Sequence, residues 1–489
     1  FPHGVVTGEV DVDRDAHTAF IVMKVDRGPY ARFRKTIIKG LHHVPESVVR
    51  NRLDWKPGDS LRLQKLQVAQ GRLYQLGLFS SVIMDFEKKN RPRNTDVYVS
   101  LTEARPYELR LGGGVSVSGG FGTKSVIQVR QRTSYTMRGV LTPLSTLRLE
   151  ARPGWEWRGG DDNGPVGEAT ATLERPDLFF PLVVGSVTVG FEQSQLAETV
   201  LRGPLLRPGL SRPFLDDRLQ IGVGWRFRIL DFDPNAALDG LIDGDKDRPS
   251  VMEENNRRDI GMIEPYRLGV VEETVSYDWR EPNPLDPRYG IYAGVTLSEG
   301  GAAVGGRLPF AKLTGDARGY LPFLKVLGVY DPHRRLVLAG RAFYGRVLGG
   351  NPLPFTERFF DGGATGHRGF AYQELSPRVT EEKPGSTDLT TSRIGGEEQF
   401  LGSGEIRVDV ANIKSYPFGI VLFSDVGDVV AEPGDLDFTH LHWAAGFGLR
   451  WSPVVAIRLD FGYRLNRHGP EDPVPSDRFA FHFSLGQAF

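Results

Sequence analysis

The chain has 489 residues, of which 40% are hydrophobic and 25% charged, and its formal net charge is -1 at pH 7. This length suits one small domain and one large domain, and the near-zero charge argues against a nucleic-acid binder that neutralises phosphates. The mean hydropathy is -0.28, and no apolar run approaches the roughly 18–20 residues of a spanning helix, which excludes a helical membrane protein but not a β-barrel. Cysteine is absent, which excludes disulfide scaffolds and thiolate sites.

The first part of the chain predicts two strands, over residues 5–12 and 18–25, with no helix before them. We interpret residues 1–29 as the last hairpin of a preceding small domain. No basic segment followed by an apolar core is visible, so an exported chain would begin here at a mature or trimmed end.

Residues 30–104 mix helical and strand patterns. A strand is predicted over 30–40, a short helix opens near Pro45 and ends at Leu53, and Ser60 is a candidate N-cap for a second helix. Strands follow over 79–86 and 96–101, so this region predicts a small α+β domain. Gly77 ends the second helix. The apolar face of this helix is formed by residues at helical spacing: Leu63, Leu66, Ala69, Leu73 and Leu76.

After Pro106 the helical period disappears, and residues 105–489 read as a series of β-strands. About fifteen segments can be distinguished, and since closed single-chain barrels have even strand numbers, about sixteen are expected. Connections are unequal, with a long loop over 346–400 that suits one rim of a transmembrane barrel. Segments at 107–118, 124–133, 144–153, 167–175, 183–192, 217–228, 289–298, 335–345, 401–411, 417–426, 441–451, 454–464 and 477–489 are predicted as strands.

The last strand carries an aromatic-rich face. Phe479, Phe481, Phe483, Leu485 and Phe489 recur at period two, which places them on one side of a strand. A soluble sheet produces the same alternation, but the many strands before it favour the closing strand of an outer-membrane barrel.

A glycine-rich segment at 358–370 makes the family recognisable. Its paired Gly362 and Gly363, followed by Arg368-Gly369-Phe370, resemble the tip of the sixth extracellular loop in the BamA/TamA family of outer-membrane assembly barrels. His367 stands where that family usually has Val or a similar residue before the arginine. Further motifs match in the family's order, at 404–407, 423–427, 446–453 and 458–460, and residues 30–104 are similar to a POTRA domain.

The resemblance implies a mainly β protein: a transmembrane antiparallel barrel of about 16 strands after a POTRA domain, in the outer membrane of a Gram-negative bacterium with the POTRA domain in the periplasm. It implies that loop 346–400 folds into the barrel, where Arg368 pairs with Glu405 and Asp425. The implied function is folding and insertion of barrel proteins, or translocation of passengers, without a cofactor. Implied partners are outer-membrane lipids, nascent outer-membrane proteins or secreted passengers, and either lipoproteins or an inner-membrane TamB-like protein, but no nucleic acid.

Two surfaces are expected to carry this function. One is a lateral seam between the first and last strands, weakened by glycines, with Gly112, Gly113, Gly114, Phe483, Gly486 and Phe489 as its residues. The alternative for these glycines is that they leave room for a neighbouring aromatic ring. The other surface is the edge of strand 79–86, where Ser81, Ile83 and Asp85 would receive a client strand.

Alternative interpretations remain at this point. An FhaC-like transporter of two-partner secretion is the nearest alternative, and a plain porin or a barrel enzyme would belong to a different class. Neither the BamA or TamA role, nor the number of upstream POTRA domains, the clients, the partner subunits or the state of the seam can be read from the sequence.

Two patterns imitate metal sites without completing one. Asp243 to Glu254 resembles a calcium loop but has Arg248 where the turn needs glycine, and His440 and His442 share one strand face without a third ligand. We expect neither a metal nor an enzymatic activity, since no catalytic signature occurs.

Overall fold

The computed structural model describes every residue except 1–3, 14–17, 88–92, 121–124, 159–162, 198, 235–260, 262–265, 283, 285, 324–335, 351–352, 383–388, 452–456, 468–477 and 487–489. The chain forms two compact units, one comprising residues 1–108, 136–147 and 174–185 and the other comprising the remainder. Within the described residues, no helix is both long and apolar enough to cross a membrane.

The first unit begins with a two-stranded hairpin, followed by a three-stranded sheet covered by two helices. The sheet has the order β3-β5-β4, so the last strand in sequence lies at its centre. The elements are β1 (Val5–Asp13), β2 (Thr18–Asp26), β3 (Arg32–Lys39), α1 (Glu46–Arg50), α2 (Leu63–Gln75), β4 (Phe79–Phe86) and β5 (Asn94–Glu103).

Three of the five residues of the predicted apolar face of α2 lie in the core of this domain, whereas Leu63 is exposed and Leu76 is only partly buried. Leu66, Ala69 and Leu73 are buried against Val82 of β4 and Val97 of β5. Gly77 ends the helix with a positive φ of 65°, a conformation that glycine adopts without strain.

The prediction that Ser60 caps α2 is wrong. The N-cap is Arg62, which makes no side-chain capping bond. Ser60 instead forms a β-bridge with Arg32, and Leu61 N–H donates to the carbonyl of Ala31. The backbone therefore runs extended beside β3 before the helix can start.

The second unit is a closed antiparallel barrel, which confirms the predicted fold class. Its strands follow one another around the wall from β6 to β17 and from β20 to β24, and β24 pairs with β6. β8 and β9 are two pieces of one strand position between β7 and β10, so the barrel has 16 strands. The strands are β6 (Tyr107–Gly120), β7 (Val126–Arg138), β8 (Thr146–Ala151), β9 (Gly154–Trp157), β10 (Gly164–Pro176), β11 (Val184–Leu196), β12 (Thr199–Phe214), β13 (Leu219–Pro234), β14 (Tyr266–Glu281), β15 (Tyr289–Gly300), β16 (Phe310–Pro322), β17 (Leu336–Gly349), β20 (Glu398–Ile413), β21 (Tyr416–Val430), β22 (His442–Trp451), β23 (Ile457–Arg464) and β24 (Phe479–Gly486), and the loop after β17 contains the short pair β18 (Arg378–Glu382) and β19 (Leu389–Arg393).

Three of the sixteen strand positions, those of β12, β14 and β16, are not among the segments named from the sequence. β12 is not predicted because it contains prolines. Proline has no N–H to donate to a β-ladder, so its presence in a sequence argues against a strand. Its pairing with β13 skips Gly203–Pro204 and Arg207–Pro208 and resumes after each. The strand tolerates Pro204 and Pro208 by leaving these positions unpaired, whereas Pro213 lies opposite Gln220 near the end of the strand.

Alternation along the strands separates a lipid face from a lumen face. On β11, Val187, Val189 and Phe191 are exposed on the outside at period two. On β13, Arg226 and Arg228 point the other way and form ion pairs with carboxylates of the lumen. An apolar exterior around a charged interior is the pattern of a membrane-spanning barrel.

Candidate functional site

The loop between β17 and β20 crosses the lumen, and Arg368 lies at its tip. Its guanidinium makes two parallel hydrogen bonds to Asp425 on β21, with Nε 2.8 Å from Oδ2 and Nη2 2.7 Å from Oδ1. The backbone N–H of Arg368 donates to the same carboxylate at 2.9 Å. Both side chains are almost fully buried, 3% and 0% exposed. This is the bidentate, charge-assisted geometry that arginine offers a carboxylate.

Neighbouring strands complete the shell around Arg368. Nη1 donates to Oε1 of Glu405 on β20 at 2.5 Å, and Nη2 donates to the hydroxyl of Ser403 at 2.9 Å. The guanidinium carbon lies 3.6 Å from the centre of the Phe423 ring, a cation–π contact. Phe423 and Asp425 are two residues apart on β21 and so share a strand face, which places the ring against the guanidinium that Asp425 binds.

Glycines shape the tip. Gly362 and Gly363 have φ values of 104° and 100°, which side chains other than glycine rarely tolerate. A Cβ on Gly369 would lie 2.7 Å from that of Ala444 on β22. The glycines in this segment therefore serve the turn and the close approach to the wall.

Phe370 fastens the tip by packing. Its ring makes edge contacts with His367 and His442, at centroid distances of 5.0 and 5.2 Å, and Arg464 lies 4.6 Å over it. His367, the departure from the family's pattern, is fully buried and sits 3.0 Å from the carbonyl of His442. The histidine is accommodated here as a hydrogen-bonded part of the loop.

Two further loop contacts were not found by sequence reasoning. Glu357 is buried, and its carboxylate oxygens form ion pairs with Nη1 of Arg226 and Nζ of Lys312, each at 2.7 Å. Gln373 accepts from the backbone of Ala197 at 3.0 Å and from Arg158 at 3.2 Å. The loop is thereby held to three parts of the wall, of which the motif marks only the one at Arg368.

The seam between β6 and β24 is closed in this structure. Pairing runs from Ala480 opposite Gly120 to Gly486 opposite Gly114, so Gly114, Phe483 and Gly486 lie on it. Gly112 and Gly113 fall beyond the described pairing, and Phe489 lies outside the described residues. Among the described atoms, a Cβ on Gly112 would meet nothing within 4 Å and one on Gly113 only the carbonyl of Arg130, so no aromatic ring occupies that space.

The edge of β4 is only partly free. Ile83 and Asp85 are exposed and Ser81 is half-buried. At the centre of the edge, however, Val82 N–H donates to the hydroxyl of Tyr74 at 3.0 Å, and the amide of Gln70 donates to Val82 O at 2.7 Å. Side chains from α2 occupy the backbone groups that an incoming strand would use.

No group of three metal-binding side chains occurs among the residues that the structure describes. The calcium-like segment at 243–254 lies outside those residues. His442 faces Asp428 in the lumen, whereas His440 is exposed beside Asp437, so the two histidines do not share a site.

Comparison with known proteins agrees with this architecture. The Omp85 superfamily domain matches residues 270–489, and the POTRA repeat, described as a surface antigen variable number repeat, matches residues 31–104. The outer membrane protein assembly factor BamA of Nitratidesulfovibrio vulgaris is 22% identical over 486 residues, 97% of this chain. The chain spans 53% of that relative's length.

Two solved structures share the fold at low identity. BamA from Haemophilus ducreyi lacking POTRA domains 1–3 has a TM-score of 0.59 and 16% identity, covering 98% of this chain and 89% of that one. CdiB from Acinetobacter baumannii has a TM-score of 0.59 and 13% identity, covering 99% and 77%.

The fold and the lumenal loop define a bacterial outer-membrane β-barrel that carries a periplasmic POTRA domain. The chain belongs to the Omp85 superfamily. Superfamily membership agrees with the predicted localisation, and the superfamily's barrels serve assembly and transport rather than enzymatic catalysis.

Proposed function

We propose that this chain folds and inserts β-barrel proteins into the outer membrane through the seam between β6 and β24. The observation that carries the proposal is topological. Every other neighbouring pair of barrel strands is joined by a continuous stretch of chain, whereas β6 and β24 are the first and last strands and are held only by their pairing. The seam is therefore where the wall can part at the lowest cost and offer free strand edges to a client.

The lumenal loop supports assembly over transport. A passenger of two-partner secretion would have to travel through the lumen, and the buried contacts of Glu357, Arg368 and Gln373 hold the loop across that route. A client strand that pairs at the seam leaves those contacts in place. The similarity to CdiB keeps transport as the second candidate, and for that function the loop would have to leave the lumen.

In this proposal Arg368, with Glu405 and Asp425, anchors the loop, and the glycines at 362, 363 and 369 together with Phe370 shape its tip. The β4 edge at Ser81, Ile83 and Asp85 receives clients in the periplasm once Gln70 and Tyr74 release the backbone of Val82.

The seam can be tested by cross-linking, because the chain has no native cysteine. Val115 and Leu485 face each other across the seam, and a Val115→Cys, Leu485→Cys barrel in liposomes should stop inserting client barrels when oxidised and resume on reduction. The matched control is Val275→Cys with Val295→Cys, a facing pair on the outer surface of β14 and β15. Full client insertion by the oxidised seam variant would refute lateral insertion.

A further inference from the structure

His482 on β24 is buried in the lumen, 1% exposed, and both of its ring nitrogens are engaged. Nδ1 lies 2.9 Å from the hydroxyl of Ser118 on β6, and Nε2 lies 3.1 Å from the backbone carbonyl of Arg368. Ser118 and His482 face each other in the seam register. One imidazole thus touches both strands of the seam and the tip of the lumenal loop.

The carbonyl determines which nitrogen carries the proton. A carbonyl oxygen can only accept, so Nε2 must donate to Arg368 O, and in the neutral ring Nδ1 is then the acceptor for the Ser118 hydroxyl. The imidazole has no spare polar atom. Displacing either partner leaves a buried nitrogen unsatisfied, which disfavours partial release.

The wall is shaped to admit this contact. A Cβ on Gly462 of β23 would lie 2.2 Å from Arg368 O, so any side chain at position 462 would push the carbonyl out of its place. Gly462 pairs with Ala480, two residues before His482. The same arginine whose side chain binds Asp425 therefore presents its carbonyl to the last strand.

We propose that His482 couples the docked loop to the closed seam, so that release of the Arg368 tip lowers the cost of parting β6 from β24. The inference rests on the proposed seam function for its biological meaning, but the coupling itself is a property of the barrel alone. It gives the loop tip a role in controlling the seam in addition to its role in filling the lumen.

The test is amide hydrogen exchange of the barrel in liposomes without a client, read in peptides that cover 114–120 and 479–486. Exchange of the amides that bond across the seam reports its open population. Ser118→Ala should raise this exchange about five-fold to ten-fold, the loss of one hydrogen bond across the seam. His482→Ala, which also loses the bond to Arg368 O, should raise it at least as much. Ser484→Ala, a serine on the same face of β24 two residues away, should leave it unchanged.

Coupling is measured by a double-mutant cycle. Arg368→Ala should raise seam exchange in the native background and add nothing in a His482→Ala background. Because Arg368→Ala can reduce folding, Gly462→Ala provides a second route that displaces the carbonyl and keeps the guanidinium. Equal effects of either variant in both backgrounds, or a Ser118→Ala barrel that exchanges like Ser484→Ala, would overturn the coupling.

These outcomes are separate from those of the proposed function. If the cycle shows coupling but the oxidised Val115→Cys, Leu485→Cys barrel inserts clients at the full rate, the coupling stands and lateral insertion fails. If the locked barrel is inactive but the cycle is additive, lateral insertion stands and His482 is only a structural residue.

Discussion

The carboxylate of Asp425 accepts three hydrogen bonds from Arg368, two from the guanidinium and one from the backbone N–H. A single residue thereby fixes both the side chain and the main chain of the loop tip. Because Asp425 is fully buried, the pair cannot exchange these bonds for water without undocking the tip.

Removing the cation should destabilise the barrel. Arg368→Ala leaves Asp425 buried without its partner, and breaking a buried pair in this way costs about 3–5 kcal/mol. We expect a lower temperature for the heat-induced shift of the folded barrel on gels. Arg202→Ala is the control, because its pair with Asp231 is about half exposed and should contribute about 0–1 kcal/mol.

The same experiment has an internal check. Removing both partners, in Arg368→Ala with Asp425→Ala, eliminates the stranded charge and should be less harmful than Arg368→Ala alone. A single variant that melts with the native chain would show that the tip is not an anchor.

Glu357 should hold the base of the loop independently of the tip. Glu357→Gln removes the negative charge that pairs with both Arg226 and Lys312. The loop should therefore detach from the barrel wall at this position more often. We expect larger and more frequent conductance steps in planar bilayers than for the native chain. Asp231→Asn, which changes an exposed carboxylate on β13, is the control, and identical conductance in the two variants would contradict this role.

Freeing the β4 edge should strengthen client docking. Tyr74→Phe with Gln70→Ala removes the hydroxyl and the amide that bond to the backbone of Val82. We expect a higher cross-linking yield with a photoreactive peptide corresponding to the last strand of an outer-membrane barrel. Adding Ile83→Pro, which disrupts the edge, should abolish the gain. A yield that responds to neither change in a folded domain would place client binding elsewhere.

Glu103 in the POTRA domain should make its stability depend on acid. Burial raises the pKa of this carboxyl, but the backbone N–H groups of Val44, His42 and His43 outweigh burial and lower the pKa from 4.5 to about 2. Since the folded pKa is the lower one, the stabilisation is fully present above pH 4.5 and is lost as the pH falls towards 2.

Hydrogen exchange of the segment 41–53 can measure this contribution. Comparing Glu103→Gln with the native chain at each pH cancels the intrinsic rate, so the difference should be large at pH 6 and small near pH 2. Glu46→Gln, in an exposed pair with Arg50, should show no such trend. A difference that persists unchanged at pH 2 would refute the assignment.

The sequence predicts best those features that follow a regular period or a local motif. The face of α2 and the bounds of β4 follow from periodicity, and the loop tip follows from a motif. The partners of Glu357 could not be predicted, because Arg226 lies 131 residues away and neither position stands out locally. Nor could the occupation of the β4 edge, since it depends on how far Tyr74 and Gln70 reach once α2 is packed.

The bond between Arg158 and Gln373 joins positions 215 residues apart in the chain. Contacts of such sequence separation form late, because the intervening chain must be ordered before they contribute. Gln373 can meet Arg158 only when strands from both halves of the barrel already stand in place. Docking of the loop is therefore expected only late in this protein's own folding, after the strands that carry its contacts have formed.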